Sequence, residues 1–136
     1  MITGLVNIRR EATVELPIYD QRGQPQVTLT VVDTGFEDAL TLPTAFIQSL
    51  GLPFRGTGRA RFADGSESDF TIHDALISWD GQFRPILVNS SDTEPLLGME
   101  LLEDYELRIQ VRPGGGVFIT PLPPLGVGEE PAPVVA

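Results

Sequence analysis

Apolar residues in this chain recur at every second position. Val14, Leu16 and Ile18 alternate with Thr13, Glu15 and Pro17; Val27, Leu29 and Val31 alternate with Gln26, Thr28 and Thr30. A period of two sends successive side chains to opposite faces, so both segments read as β-strands with one face turned to a core. Between them, Asp20-Gln21-Arg22-Gly23-Gln24-Pro25 has turn chemistry, which makes the pair a hairpin. The 136 residues include 14 Gly and 12 Pro, above the usual combined share of about 12%, and this excess favours turns over long helices.

The same reading extends along the chain. Residues 2–8 form an earlier short strand. Pro43 to Leu50 fits a short helix, with Pro43 at its first position and Gly51 just past its end. Arg59–Ala63 and Glu67–Ile77 flank Asp64-Gly65, a tight-turn pair. A strand at 83–89 follows the turn Trp79-Asp80-Gly81-Gln82. Met99 to Asp104 reads as a turn or two of helix. Glu106–Val111 and Val117–Pro121 make a last hairpin around Gly114-Gly115-Gly116. Residues 121–136 carry five prolines and no periodicity. The expected organisation is one domain over 1–121 and a Pro-rich extended tail over 122–136. The expected fold is all-β, a small closed barrel with one or two short helices.

Composition excludes several chemistries. All nine basic residues are Arg, which removes Schiff-base and P-loop lysines. There is no Cys and one His, His73, so thiol nucleophiles, disulfides and multi-His metal sites are absent. A formal charge of −10 repels a phosphate backbone and argues against nucleic acid as a partner. No stretch has the length of a membrane span or the pattern of a signal peptide, so no membrane partner is expected and cytoplasm is the default location. Carboxylates and hydroxyls remain to carry chemistry.

They converge in one segment. In Val31-Val32-Asp33-Thr34-Gly35 an apolar strand ends in an acid, a hydroxyl and a glycine that lets a second backbone approach. A second element, Pro95-Leu96-Leu97-Gly98-Met99-Glu100-Leu101-Leu102, joins an apolar pair and a glycine to a helix start. The hairpin with Asp64-Gly65 at its tip lies between them. In order, spacing and flanks these segments resemble the retropepsin-like (single-domain, clan AA type) aspartic proteases. The resemblance covers about residues 2–121. Asp33-Thr34-Gly35-Phe36, Leu40-Thr41-Leu42-Pro43 and Leu96-Leu97-Gly98-Met99 look most like bacterial-type members.

The resemblance implies a small β-barrel that forms one half of a two-fold active site. It makes Asp33 the catalytic acid, Thr34 the hydroxyl bonded across the subunit boundary, and Gly35 the glycine over which substrate lies. It makes the hairpin around Ala63, Asp64, Gly65 and Ser66 a flap, and Leu96-Leu97-Gly98 the segment packed behind the active loop. The substrate-binding set is then Phe36, Ala63, Asp64, Gly65, Ser66, Leu97 and Gly98. Two carboxyls about 3 Å apart share one proton, so one acts as base toward a water and the other as acid toward the peptide carbonyl. The chain holds one Asp-Thr-Gly, since Asp92-Thr93-Glu94 lacks the glycine; activity therefore implies a homodimer. No metal or other cofactor is implied, and the expected partners are a peptide or protein substrate and a second copy.

Two departures bear on the site. Phe36 stands where viral members have a small residue, and Met99 where they often have a dimer-supporting Arg. Residues 1–8 and 116–121 are the segments able to interleave between subunits. Other readings stay open. Asp33 can cap its own backbone as an Asx-turn. The 57–77 hairpin can be only a hairpin, and His73 a surface or satisfied histidine. Glu37-Asp38 reads as an acidic loop in preference to a metal site. The alternative function is a non-catalytic peptide-binding or dimerisation module on the same fold.

Overall fold

The computed structural model describes residues 1–126. Ten strands and two short helices follow one another as β1 (Ile2–Val6), β2 (Ala12–Tyr19), β3 (Pro25–Val32), β4 (Leu40–Pro43), α1 (Thr44–Leu50), β5 (Phe54–Arg61), β6 (Glu67–Trp79), β7 (Gln82–Ser91), β8 (Leu96–Leu97), α2 (Met99–Leu102), β9 (Tyr105–Ile109) and β10 (Gly116–Pro121). The strands form one sheet in the order β5-β6-β7-β4-β8-β3-β2-β1-β10-β9. Ile18 of β2 also pairs with Ile77 of β6, which turns the middle of the sheet back on itself and makes β6, β7, β4, β8, β3 and β2 a ring.

The alternation explains the ring's interior. Val14, Leu16 and Ile18 point inward from β2 and are buried, joined by Leu40, Leu42, Ile77, Val88 and Leu97 from the facing strands. Ile18 and Ile77 are fully buried where the sheet closes. The β2–β3 hairpin runs in unbroken register from Thr13↔Val31 to Tyr19↔Pro25, as the alternation requires. The β5–β6 hairpin runs from Arg61↔Glu67 toward its root, and its tip, 62–66, is a turn with Gly65 at φ +86°. The fold is all-β with few short helices.

Three features differ from expectation. The helix begins at Thr44, because Pro43 is still the last residue of β4 (φ −58°, ψ 141°); Gly51 closes it in the left-handed conformation. β4 and β8 are too short to show an alternating pattern, yet they occupy the middle of the sheet. Residues 1–8 and 116–121 do not stand free to interleave between subunits: β1 and β10 pair inside one chain, from Ile2↔Ile119 to Leu5↔Gly116. Of the expected tail, residues 122–126 are exposed and without regular structure, with Leu122 N–H donating to the Asp104 carbonyl at 2.8 Å; 127–136 lie outside the described residues.

Candidate active site

The site is built where β8 wedges between two strands. β3 pairs with it in parallel (Val31↔Leu96, Val32↔Leu97) and β4 antiparallel (Leu40↔Leu97, Thr41↔Leu96). The loop 33–39 therefore leaves one neighbour of β8 and returns as the other. Four backbone bonds pin it: Asp33 N–H to the Leu97 carbonyl (2.9 Å), Gly98 N–H to Ala39 (2.9 Å), Met99 N–H to Phe36 (2.8 Å) and Glu100 N–H to Glu37 (3.1 Å). The leading amides of α2 are thus satisfied by the loop it supports. Gly98 is required by space. A Cβ there would fall on the Asp38 carbonyl oxygen and within 2.8 Å of the Phe36 carbonyl oxygen.

Asp33 lies half-exposed at the mouth of this construction. Its Oδ1 accepts the Gly35 N–H at 2.9 Å, and its carbonyl accepts the Phe36 N–H at 3.1 Å. The Asx-turn is therefore present. It occupies one carboxylate oxygen and leaves Oδ2 without a hydrogen bond among the described residues, so the turn orients the acid without consuming it. Thr34 is exposed, and its hydroxyl also has no partner among the described residues. Both side chains line a groove of about 410 Å³ whose apolar walls come from Val31, Val32, Leu96, Ile109 and Val111, with Arg10, Glu11 and Glu94 supplying charge.

A further bond ties the loop to the root of the β5–β6 hairpin. Asn89 on β7, 8% exposed, donates from Nδ2 to Asp38 Oδ2 at 2.9 Å. Asn89 also faces Ile72 of β6 in the ladder, so loop 33–39 and the β5–β6 hairpin share β7 as a common support. At the hairpin tip, Asp64 Oδ1 accepts the Ser66 hydroxyl (2.6 Å) and the Ser66 N–H (2.8 Å). The hydroxyl bond, then the amide bond, holds the Asp64 carboxyl below the usual carboxylate range. Arg59 pairs with Asp69 and Glu67, and Arg61 with Glu67, across the same hairpin, all in solvent where such pairs contribute little.

The structure gathers Asp33, Thr34, Gly35 and Phe36 over Leu97 and Gly98. It does not bring the tip to them: Ala63, Asp64, Gly65 and Ser66 are exposed, and none bonds to the loop. Leu97 and Gly98 are buried beneath the loop and support it. The Phe36 ring lies against the Gly98 backbone, so its bulk is partly absorbed beneath the loop. Arg10, Glu94, Ile109 and Val111 line the groove and were not singled out from sequence. They lie far from Asp33 along the chain, and only the β1–β2 turn, β8 and the β9 end bring them together.

Other candidates resolve plainly. His73 has both ring nitrogens engaged, with the Leu52 carbonyl (3.2 Å) and the Thr71 hydroxyl (2.9 Å). A carbonyl can only accept, so Nδ1 carries a proton and donates to Leu52, and in the neutral ring Nε2 accepts from the Thr71 hydroxyl. A larger apolar concavity of about 660 Å³, between Tyr19, Leu76 and Phe83, contains no residue of the Asp33 loop; its two acids are already engaged, Asp20 in a turn and Asp74 with Arg55. Among the described residues no cluster of three or more His, Asp or Glu is arranged for a metal, and no helix is long and apolar enough to cross a membrane.

Comparison with known proteins agrees with this geometry at the level of fold. No protein-family model matches the chain, and no curated protein matches it. The EIAV protease complexed with the inhibitor HBY-793 aligns with a TM-score of 0.52 and 22% identity, over 72% of this chain and 90% of that chain. The chain therefore has the retropepsin-like fold, with Asp33-Thr34-Gly35 in the loop stapled by β8.

Proposed function

We propose that the chain is an aspartic-type endopeptidase of the bacterial retropepsin-like type, active as a homodimer in which two Asp33 carboxyls form the dyad. The observation that carries this reading is the pinned loop. It presents a carboxylate with one oxygen fixed by Gly35 and the other open, at the edge of a groove. Among the described residues no second carboxyl bonds to Asp33, and a two-fold axis supplies an identical one.

In the dimer the two carboxyls hold one proton between them, because like charges that close cannot both ionise. The ionised Asp33 removes a proton from a water, whose oxygen attacks the peptide carbonyl carbon. The protonated Asp33 donates to the carbonyl oxygen, and a proton then passes to the leaving amine. The apolar groove takes side chains of an extended peptide, and the β5–β6 hairpin covers it as a flap with Ala63, Asp64, Gly65 and Ser66 at its tip. Residues 1–121 form the catalytic domain and 122–136 an accessory tail. Cytoplasm is the compartment this reading assigns.

The test is cleavage of an unfolded protein from pH 4 to 8 by the parent and by Asp33→Asn, with new N-termini identified by mass spectrometry. The parent should cleave best on the acidic side, and the variant should lose activity by at least about 100-fold. Equal cleavage by both would refute an aspartic mechanism. A dimeric parent that cleaves nothing would return the chain to a non-catalytic binding module.

A further inference from the structure

β4 covers only part of β7. It pairs with residues 88–91, so residues 82–87 have β6 as their one strand neighbour. A concavity of about 420 Å³ lies at this half of the strand, between Trp79, Arg84 and Tyr105, with Pro121 from the end of β10 in its wall. It shares no residue with the groove at Asp33.

The concavity offers donors that lack an acceptor. Trp79 is 4% exposed, and its indole N–H has no hydrogen-bond partner among the described residues. Buried donors are nearly always paired. Of the nine arginines, Arg84 alone is half-buried; the others stand in solvent. Its guanidinium donates to the Glu100 carbonyl at 3.2 Å but has no ion pair among the described residues, whereas Arg55, Arg59 and Arg61 all face carboxylates. Asp80, the one acid in the lining, is already held by the Met1 ammonium at 2.7 Å. A half-buried cation with unused donors, beside an unpaired N–H, is complementary to an anionic acceptor, and a carboxylate matches the guanidinium fork.

The chain itself carries that group close by. Pro121 lies in the wall, so the residues that follow it leave from the side of the concavity. Glu129 and Glu130 come eight and nine residues later, in the segment outside the described residues, and are the only charged side chains after Arg112. Eight residues span up to about 27 Å, ample for a return to a concavity they border. Pro131-Ala132-Pro133 come next, and proline segments dock against aromatic walls such as Phe83 and Tyr105.

We propose that residues 129–133 of this chain dock in the concavity beside the first half of β7, where the Glu129-Glu130 pair supplies a carboxylate to Arg84 and to the Trp79 indole N–H. The segment is then a strap that ties the end of β10 to the β6–β7 turn. It neutralises the one half-buried arginine and supplies the acceptor that Trp79 lacks. The docking is independent of the chemistry proposed at Asp33.

The chain has no Cys and one Trp, which makes the test direct. A nitroxide is attached to the full chain through Ala132→Cys, and the Trp79 indole N–H signal is read by NMR. Docking should broaden that signal and the Gln82 amide, and reducing the nitroxide should restore both. Arg84→Gln, and Glu129→Gln combined with Glu130→Gln, each remove one side of a charge-assisted pair. Each should lower the docked-to-free ratio by about 10- to 100-fold, so that the indole signal sharpens. Arg84→Lys should keep more of the broadening than Arg84→Gln. Circular dichroism verifies that each variant folds; should Arg84→Gln not fold, the paired glutamine variant alone decides. An indole signal as sharp in the labelled parent as in the reduced sample, or broadening that survives these substitutions, would overturn the proposal. So would broadening of isotope-enriched chains by nitroxide-bearing unenriched ones, which would place the segment on another molecule.

Discussion

Replacing Gly98 with Ala tests the construction of loop 33–39 directly. Gly98 has φ −106° and ψ −178°, an extended backbone that alanine adopts freely, so the obstacle is space alone. The new Cβ would fall on the Asp38 carbonyl oxygen, a backbone atom that cannot swing aside. Clearing it moves loop 33–39 away from β8 by on the order of 1 Å, a displacement able to cost about 100-fold in rate. The bonds at risk are Gly98–Ala39, Met99–Phe36 and Glu100–Glu37, now 2.8–3.1 Å long and beyond hydrogen-bonding distance once stretched by that amount. Overpacking of this kind costs about 2 kcal/mol, or roughly 6–10 °C of Tm in a domain of this size. Thermal unfolding by circular dichroism measures the loss of stability, and peptide cleavage, on the proposed activity, the loss of rate. Gly56→Ala is the control, since a Cβ there meets nothing within 4 Å. Gly98→Ala with the parent's Tm and the parent's rate would show that the loop does not rest on Gly98.

Two further outcomes follow from single hydrogen bonds. Thr41, 8% exposed, accepts the Leu96 N–H on its hydroxyl at 2.9 Å; Thr41→Val leaves that amide unpaired and should destabilise by about 1–3 kcal/mol, while Thr41→Ser should retain most of the stability. An unchanged urea midpoint for the valine variant would contradict this. At the hairpin tip the folded-state pKa of Asp64 lies below its unfolded value, so its bonds to Ser66 contribute fully above the unfolded value and are lost as pH falls through the folded one. The Ser66 amide resonance should therefore stay constant from pH 8 down to about pH 4 and move only in stronger acid. Movement at pH 5–6 would refute the assignment, and Asp64→Ala should abolish the acid transition.

The period-two alternation determined that β2 and β3 are strands, that they pair, and which of their faces is buried, because strand geometry makes facing a local property of sequence. Turn chemistry at Asp20–Pro25 and Asp64-Gly65 placed two hairpins for the same reason. Asp33-Thr34-Gly35 and Leu96-Leu97-Gly98 were legible as a pair of motifs, but their relation was not. Only the tertiary structure inserts β8 between β3 and β4, which makes Leu97 and Gly98 a buried support and gathers Arg10, Glu94, Ile109 and Val111 around Asp33. Two-residue and four-residue strands carry too few positions for a period, and their partners lie some fifty residues away in the chain (Leu40↔Val88, Leu40↔Leu97). The pairing of β1 with β10 is likewise a competition between edges that local pattern does not rank. It leaves β9 outermost at one edge of the sheet.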